Sequence, residues 1–403
     1  MRISTSMLHE VAVGGILKNQ AELVQLQSQL SSGRRIQNAS DDPIGSARVM
    51  QLTEAKATNE QFASNQASAL NAIGLSEQTL SHAGDALQNI RDLVVQAGGG
   101  GLAPSDRQAI VQQIRQQYES LIGIANTRDG EGKFLFAGAK GDVQPFAATT
   151  TGATYNGDQT QRVTQVTGTR TLAVSENGAE IFERIRAGNG KFTTAGGAAN
   201  TGTGNIDLGR VVDSAAYTGH QYRLQFAVSG GITTYAVLDV TAATTVSTGN
   251  AYSSGSAIQV AGMQFAVSGA PAAGDTFDLA PSPNQSVFTT IQQAIAAISA
   301  PQETGAQQAQ ATTRLGAALG NLDQGLERTL SARAKFGASL AELGALGESN
   351  SSTDLSLRSQ ISEIMDVDYA KAVSDFARQK QALDAAQASY AQIMKRSLFD
   401  ILG

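Results

Sequence analysis

The sequence predicts an α+β protein: an elongated, antiparallel, coiled-coil-like helical rod made by both chain ends, with a β-rich domain inserted between them. Three observations carry this. Apolar residues recur at spacings of three and four in the first and last thirds of the chain, which places them on one helix face. The middle, from about residue 133 to 284, turns to Gly, Thr and Val with period-two alternation, the pattern of strands. The helical stripes are long and thin, so each exposes a seam that another helix has to cover.

Ile16, Leu23, Leu26 and Leu30 fit one a/d seam and define the first helix. The polar connector "LSSGRRIQNASDDPIGSAR" (30–48) follows. Gly33 ends the first helix, because glycine takes the left-handed C′ conformation with little strain. Asp42 then serves as N-cap and Pro43 as the first residue of the next helix. That helix carries Leu52, Phe62, Ala69, Ile73, Leu80, Leu87, Ile90 and Val94, a stripe roughly 60 Å long at 1.5 Å per residue. The run "GGGG" (98–101) stops it, and Pro104-Ser105-Asp106 opens another with Ile110, Ile114, Tyr118 and Leu121.

In the middle, "YRLQFAVSGGITTYAVLDV" (222–240) reads as a hairpin turning at Gly230-Gly231, and "AIQVAGMQFAV" and "DTFDLAP" read as further strands. The final third mirrors the first. Phe288, Ile291, Ile295 and Ile298 form a short stripe, and Leu315, Leu322, Leu326, Phe336, Leu340 and Leu343 a long one. The polar stretch "GESNSSTDL" (347–355) is expected to break the helix before a last stripe of Phe376, Leu383, Tyr390 and Ile393. Each terminal stripe is narrow, and a lone helix of that length is marginal in water. These helices therefore need partners, either each other or neighbouring copies.

Composition narrows the function. Charged residues make up 16% of 403 and the formal net charge is −6, which gives no electrostatic basis for binding nucleic acid or an anionic membrane. Cysteine is absent, so disulfides, thiolate metal sites and a cysteine nucleophile are excluded. His9, His82 and His220 are scattered without metal-ligand spacing. "GEGKF" (130–134) lacks the spacing of a phosphate loop and the hydroxyl that would hold magnesium, so it reads as a turn. Asp366 and Asp368 do not share a helix face and read as a break or cap. The expectation is no catalytic site, no metal and no cofactor. The apolar run "VAVGGIL" (11–17) is too short and glycine-broken for a Sec leader, and no segment reaches transmembrane length.

The connector resembles the "LSSG…I…A.DDP" segment of the bacterial flagellin superfamily. The opening "MRIST.M", "GKFLFAG", "YNGDQTQRV", "ENGAEIF" and the closing "ISEIMDVDYAKAVSDFARQKQALDAAQASYAQIMKRSLFDIL", with Leu398 near its end, are similar to that superfamily in the same order. The start and the Asp-Asp-Pro form resemble the hook-associated branch at the hook–filament junction more than flagellin itself.

The resemblance implies a terminal helical polymerisation layer (1–42 and 358–403), a helical rod with a β-hairpin region (43–180 and 285–357) and an outer β-rich domain (181–284). The assembly seam would be Ile16, Leu23, Leu26, Leu30, Phe376, Leu383, Tyr390, Ile393 and Leu398. The joint between layers would be Gly33, Arg34, Asp41, Asp42 and Pro43. It further implies a ring of identical subunits touching an adjacent hook-associated junction protein and flagellin. Export would run through the flagellar type III apparatus without a Sec signal, with a cytoplasmic chaperone on the C-terminal helix. The end location would be the extracellular flagellum. Alternatives are a flagellin-type filament subunit, a flagellum-borne murein hydrolase, against which no paired acidic site emerges, and a coiled-coil adhesin.

Overall fold

The structure is a computed structural model in which residues 5–402 are described, apart from the side chains of residues 5, 6, 8 and 393–402. The opening "MRIS" of the superfamily-like start lies outside the described residues. The chain divides into two compact units: residues 1–64 with 345–403, and residues 65–344.

The first unit is helical. It contains α1 (Thr5–Ser32), the N-terminal part of α2 (Pro43–Gly98), the C-terminal part of α5 (Gly305–Met365) and α6 (Tyr369–Leu402). α1 and α6 pack antiparallel, since Tyr390 meets His9, Gln379 meets Asn19 and Glu22, and Gly33 lies beside Tyr369. In the same unit α2 faces α5. Asn59 Nδ2 donates to the Asn350 carbonyl at 3.0 Å, and Asn350 Nδ2 returns a bond to the Asn59 carbonyl at 3.1 Å.

The expected break at 347–355 does not occur: α5 runs through it to Met365. Its hydroxyls explain why. Ser351, Ser352 and Thr353 each donate to the carbonyl four residues earlier, so they satisfy themselves inside the helix rather than breaking it. Asp354 meanwhile pairs with Arg358 one turn on. The real break is at 366–368, where the Asp368 carboxylate accepts the Lys371 N–H and caps α6.

The second unit is mixed. The remainder of α2 and α5, with α3 (Pro104–Ala125) and α4 (Val287–Ser299), supply its helices. The stripe residues Ile73, Leu80, Ile90, Ile114, Leu121, Phe288, Ile291 and Leu322 are wholly enclosed. A hairpin of β1 (Phe146–Thr149) and β2 (Gly152–Tyr155) packs on α4, and Phe146, Phe182 and Phe288 meet edge-on or tilted at centroid distances of 5.1–5.8 Å. Phe182 lies in a π-helical turn (Ala179–Glu183), beyond a second small hairpin of β3 (Val163–Gln165) and β4 (Thr171–Ala173).

The strands β5 (Ile185–Arg186), β6 (Phe192–Gly196), β7 (Asn205–Ile206), β8 (Arg210–Val211), β9 (Tyr222–Ser229), β10 (Ile232–Asp239), β11 (Thr244–Ala251), β12 (Ala257–Val260), β13 (Met263–Ser268), β14 (Thr276–Pro281) and β15 (Asn284–Gln285) complete the unit. Five of them form a sheet in the order β11-β10-β9-β14-β6, while β12, β13 and β7 form another that β8 joins at β13. Leu224, Phe226, Val237, Phe265, Phe277 and Leu279 fill one core between them. The β9–β10 register pairs Ser229 with Ile232 across Gly230 and Gly231, whose φ angles of +57° and +78° fit a two-residue type I′ turn.

Candidate functional site

The residues named from sequence converge on the joint and on the α1–α6 pair. At the joint, Gly33 closes α1 at φ +69°, a left-handed conformation that favours glycine, beside the Tyr369 hydroxyl. The chain then makes an antiparallel bridge with the α5–α6 break. Arg35 N donates to the Met365 carbonyl at 2.7 Å, and Val367 N donates to the Gly33 carbonyl at 3.0 Å.

Two aspartates do different work. Asp41 takes the N–H groups of Gln37 and Asn38 at 3.1 and 2.9 Å, which curls the connector back on itself. Asp42 precedes Pro43, the first residue of α2, and its Oδ1 accepts the Gly45 N–H at 2.8 Å, satisfying an otherwise orphaned helix donor. That bond, followed by the Arg35 guanidinium, holds the Asp42 carboxyl below the usual carboxylate range.

Arg34, singled out from sequence, contributes its backbone to the bridge. Its neighbour Arg35 is the side chain that ties the joint together: the guanidinium reaches Asp42 Oδ2 at 3.2 Å and the Ile364 carbonyl at 2.8 Å. Ile36, buried under Gly45, is the apolar plug of the connector. Sequence reasoning missed both. A single isoleucine inside a polar run was the available signal for the plug, but nothing in a pair of adjacent arginines distinguishes the bonded one.

Along the helix pair, Ile16, Leu23, Leu26, Leu30, Phe376, Leu383 and Tyr390 all lie half-buried. Ile393 and Leu398 fall in α6, but their side chains lie outside the described residues. The Tyr390 hydroxyl and His9 Nδ1 are 2.7 Å apart with the rings stacked at 5.4 Å, which gives the first histidine a packing role. The same helices leave Leu17 at 60% and Val24 at 59% exposed, with Val11 and Val373 also open. This surface has an apolar face that its own chain covers on one side only.

No catalytic arrangement appears among the described residues. None of their His, Asp and Glu side chains gather into groups of three or more that could hold a metal ion. His220 Nδ1 lies 2.8 Å from Asp239, whose carboxyl is held low first by the Ala242 N–H and then by the imidazole, a turn-holding pair. In the 130–134 turn, the Asp129 carboxylate already occupies the Glu131 and Lys133 amides at 3.0 and 2.9 Å, so a phosphate would find them taken. No described helix is long and apolar enough to cross a membrane.

Two chain ends paired as helices, a hydrogen-bonded joint behind them and a β-rich middle define a flagellin-like fold. Residues 3–141 match the family described as the bacterial flagellin N-terminal helical region. A curated relative, flagellar hook-associated protein 3 of Salmonella typhimurium, is 26% identical over 402 residues, covering 100% of this chain and 99% of its own. The flagellin of Salmonella oranienberg is 26% identical over 272 residues, covering 57% of this chain and 53% of its own. Among solved structures, FlgL from Xanthomonas campestris is 33% identical with a TM-score of 0.72, covering 77% of this chain and 99% of that one. The structure titled flagellar junction protein FlgL, from Legionella pneumophila, is 30% identical with a TM-score of 0.72, covering 79% and 100% respectively. The chain belongs to the flagellar hook-associated protein 3 family, and flagellin is its more distant relative.

Proposed function

We infer that this chain is a structural subunit of the bacterial flagellum at the hook–filament junction. A ring of its copies connects the adjacent hook-side junction protein to the flagellin filament and templates filament growth. Residues 1–42 and 358–403 are the polymerisation layer of that ring, and 33–43 is the joint to the rod. Residues 43–180 with 285–357 are the rod, and 181–284 face outward. The protein carries out no catalysis. It leaves the cell through the flagellar type III apparatus, with a cytoplasmic chaperone shielding its C-terminal helix.

The observation that carries the reading is the α1–α6 pair: a seam half-covered by its own chain, beside exposed Leu17 and Val24. Each large side chain still to be buried there is worth about 1.5–3 kcal/mol, a sufficient drive for subunit packing. The end-to-end match to the hook-associated relative, against the partial match to flagellins, supports the junction over the filament.

The test is a deletion strain with a tagged copy restored. We expect hooks without filaments and flagellin shed into the medium when the gene is absent, and a tag confined to one band per flagellum when it is restored. A tag running along whole filaments would overturn the junction reading in favour of a flagellin-type subunit. Release of murein fragments by the purified chain would overturn the non-catalytic reading.

A further inference from the structure

The chain contains three Asn-Gly pairs: Asn156-Gly157, Asn177-Gly178 and Asn189-Gly190. Such a pair can react with itself. The glycine nitrogen attacks the asparagine side-chain carbonyl and closes a five-membered ring, and the missing Cβ leaves that nitrogen uncrowded. The fold treats the three pairs differently.

Two are locked. Asn177 is buried, its Oδ1 accepts the Glu180 N–H at 2.9 Å, and its Nδ2 donates to the Gln159 carbonyl at 3.3 Å. The Gly178 N–H donates to the Phe136 carbonyl at 2.9 Å. Asn189 Oδ1 accepts the Lys191 and Phe192 N–H groups at 3.0 and 2.9 Å, and its Nδ2 reaches the Leu208 and Gly209 carbonyls. The Gly190 N–H donates to the Ala187 carbonyl at 3.2 Å. In both pairs the attacking and attacked groups have other partners, so reaction requires local opening. The third pair is free. Asn156 is exposed, and its own N–H donates to the Pro145 carbonyl at 2.8 Å, while the Asp158 N–H donates to the Ala137 carbonyl at 3.1 Å. Between these two anchors, neither the Asn156 side chain nor the Gly157 N–H has a hydrogen-bond partner among the described residues.

We propose that Asn156-Gly157 is a site of spontaneous backbone modification, with water as the only co-reactant. Gly157 N gives its proton to solvent base and bonds to Asn156 Cγ. The Cγ–Nδ2 bond breaks, and Nδ2 takes a proton from water and leaves as ammonia. Water then opens the cyclic imide at either carbonyl. Opening at Cγ leaves aspartate, and opening at the backbone carbonyl leaves isoaspartate, in which the chain runs through the side chain. Each event adds one negative charge two residues from Asp158, whose carboxyl is held low by the Ala139 and Thr160 N–H groups. The isoaspartate form also inserts a carbon into the backbone next to the Tyr155–Phe146 pairing of β2 with β1. The end of this hairpin therefore changes in charge and length with the age of the protein.

The test follows all three pairs in one sample. Purified full-length chain is held at mildly alkaline pH, digested under acidic conditions where ring closure stalls, and the peptides spanning each pair are quantified by mass spectrometry. A parallel sample is held in denaturant. In the folded chain we expect conversion at Asn156 at least about tenfold faster than at Asn177 or Asn189, the factor that about 1.4 kcal/mol of local opening imposes. In denaturant the three rates should converge, and isoaspartate should exceed aspartate in the product. Asn156→Gln, whose longer side chain would have to close a six-membered ring, is expected to suppress the conversion with an unchanged melting temperature. Equal rates at the three pairs in the folded chain would overturn the proposal. So would a product that is aspartate alone, which direct hydrolysis without Gly157 gives. The readout is made on the purified chain and is independent of its place in the flagellum.

Discussion

The α1–α6 pair and the second-unit stretch of α2 carry the same kind of apolar stripe and reach different environments. Ile73, Leu80 and Ile90 on α2 are fully enclosed, in a unit where α2 is tied to α5 by the Arg91–Asp323 and Arg333–Glu77 pairs and where α3 packs on α4. Ile16, Leu23, Leu26 and Leu383 stop at half-burial, because α1 and α6 are described packing chiefly on each other. A heptad stripe states that one face is apolar. How completely the face is covered depends on how many other elements arrive, and among the described residues α1 and α6 each have the other as main partner.

The largest effect that sharpens this contrast is expected in the second unit. Leu87→Ala or Phe288→Ala removes enclosed side chains and should lower stability by about 3–5 kcal/mol, read as a clear fall in melting temperature by calorimetry. Leu383→Asp should leave that transition in place while abolishing incorporation into flagella, scored by tagged protein on isolated filaments after secretion of the variant is verified. A melting loss matching that of Leu87→Ala would erase the distinction between the two regions.

A smaller, pH-dependent effect belongs to the joint. The folded Asp42 carboxyl titrates below its unfolded value, so its contribution is complete above the ordinary aspartate value of about 3.9 and fades as pH falls through the lower folded value. Amide exchange in the first turn of α2 should therefore quicken at pH below about 4. Asp42→Asn, which retains a capping oxygen, should flatten that dependence; an unchanged profile would remove Asp42 from the account. The smallest expected change is at Asn59→Ala, which deletes one of two reciprocal bonds to α5 at about 1 kcal/mol, measurable by denaturant titration.

Much of this was legible in the sequence, for local reasons. Gly33, Asp42 and Pro43 mark helix ends through backbone preferences that do not depend on the rest of the chain. Gly230-Gly231 marks its turn in the same way. The misplaced break at 347–355 shows the limit. A run of Ser, Thr and Asn is turn-like in isolation, but inside a long helix the hydroxyls bond one turn back and Asn350 finds Asn59 across the pair. Arg35 and Ile36 escaped notice because their roles depend on Ile364, Asp42 and Gly45, contacts that exist only after the chain folds back. No stripe of leucines states whether its partner is the same chain or a neighbour.

That question is the account's central claim, and hydrogen exchange on the same protein in two states tests it most directly. In the purified chain, amides of α1 and α6 should exchange far faster than those of α2 around Ile73–Ile90, while in isolated flagella both regions should be strongly protected. Equal protection of the two regions in the free chain would contradict the account, because the terminal helices would then belong to the monomer's own core.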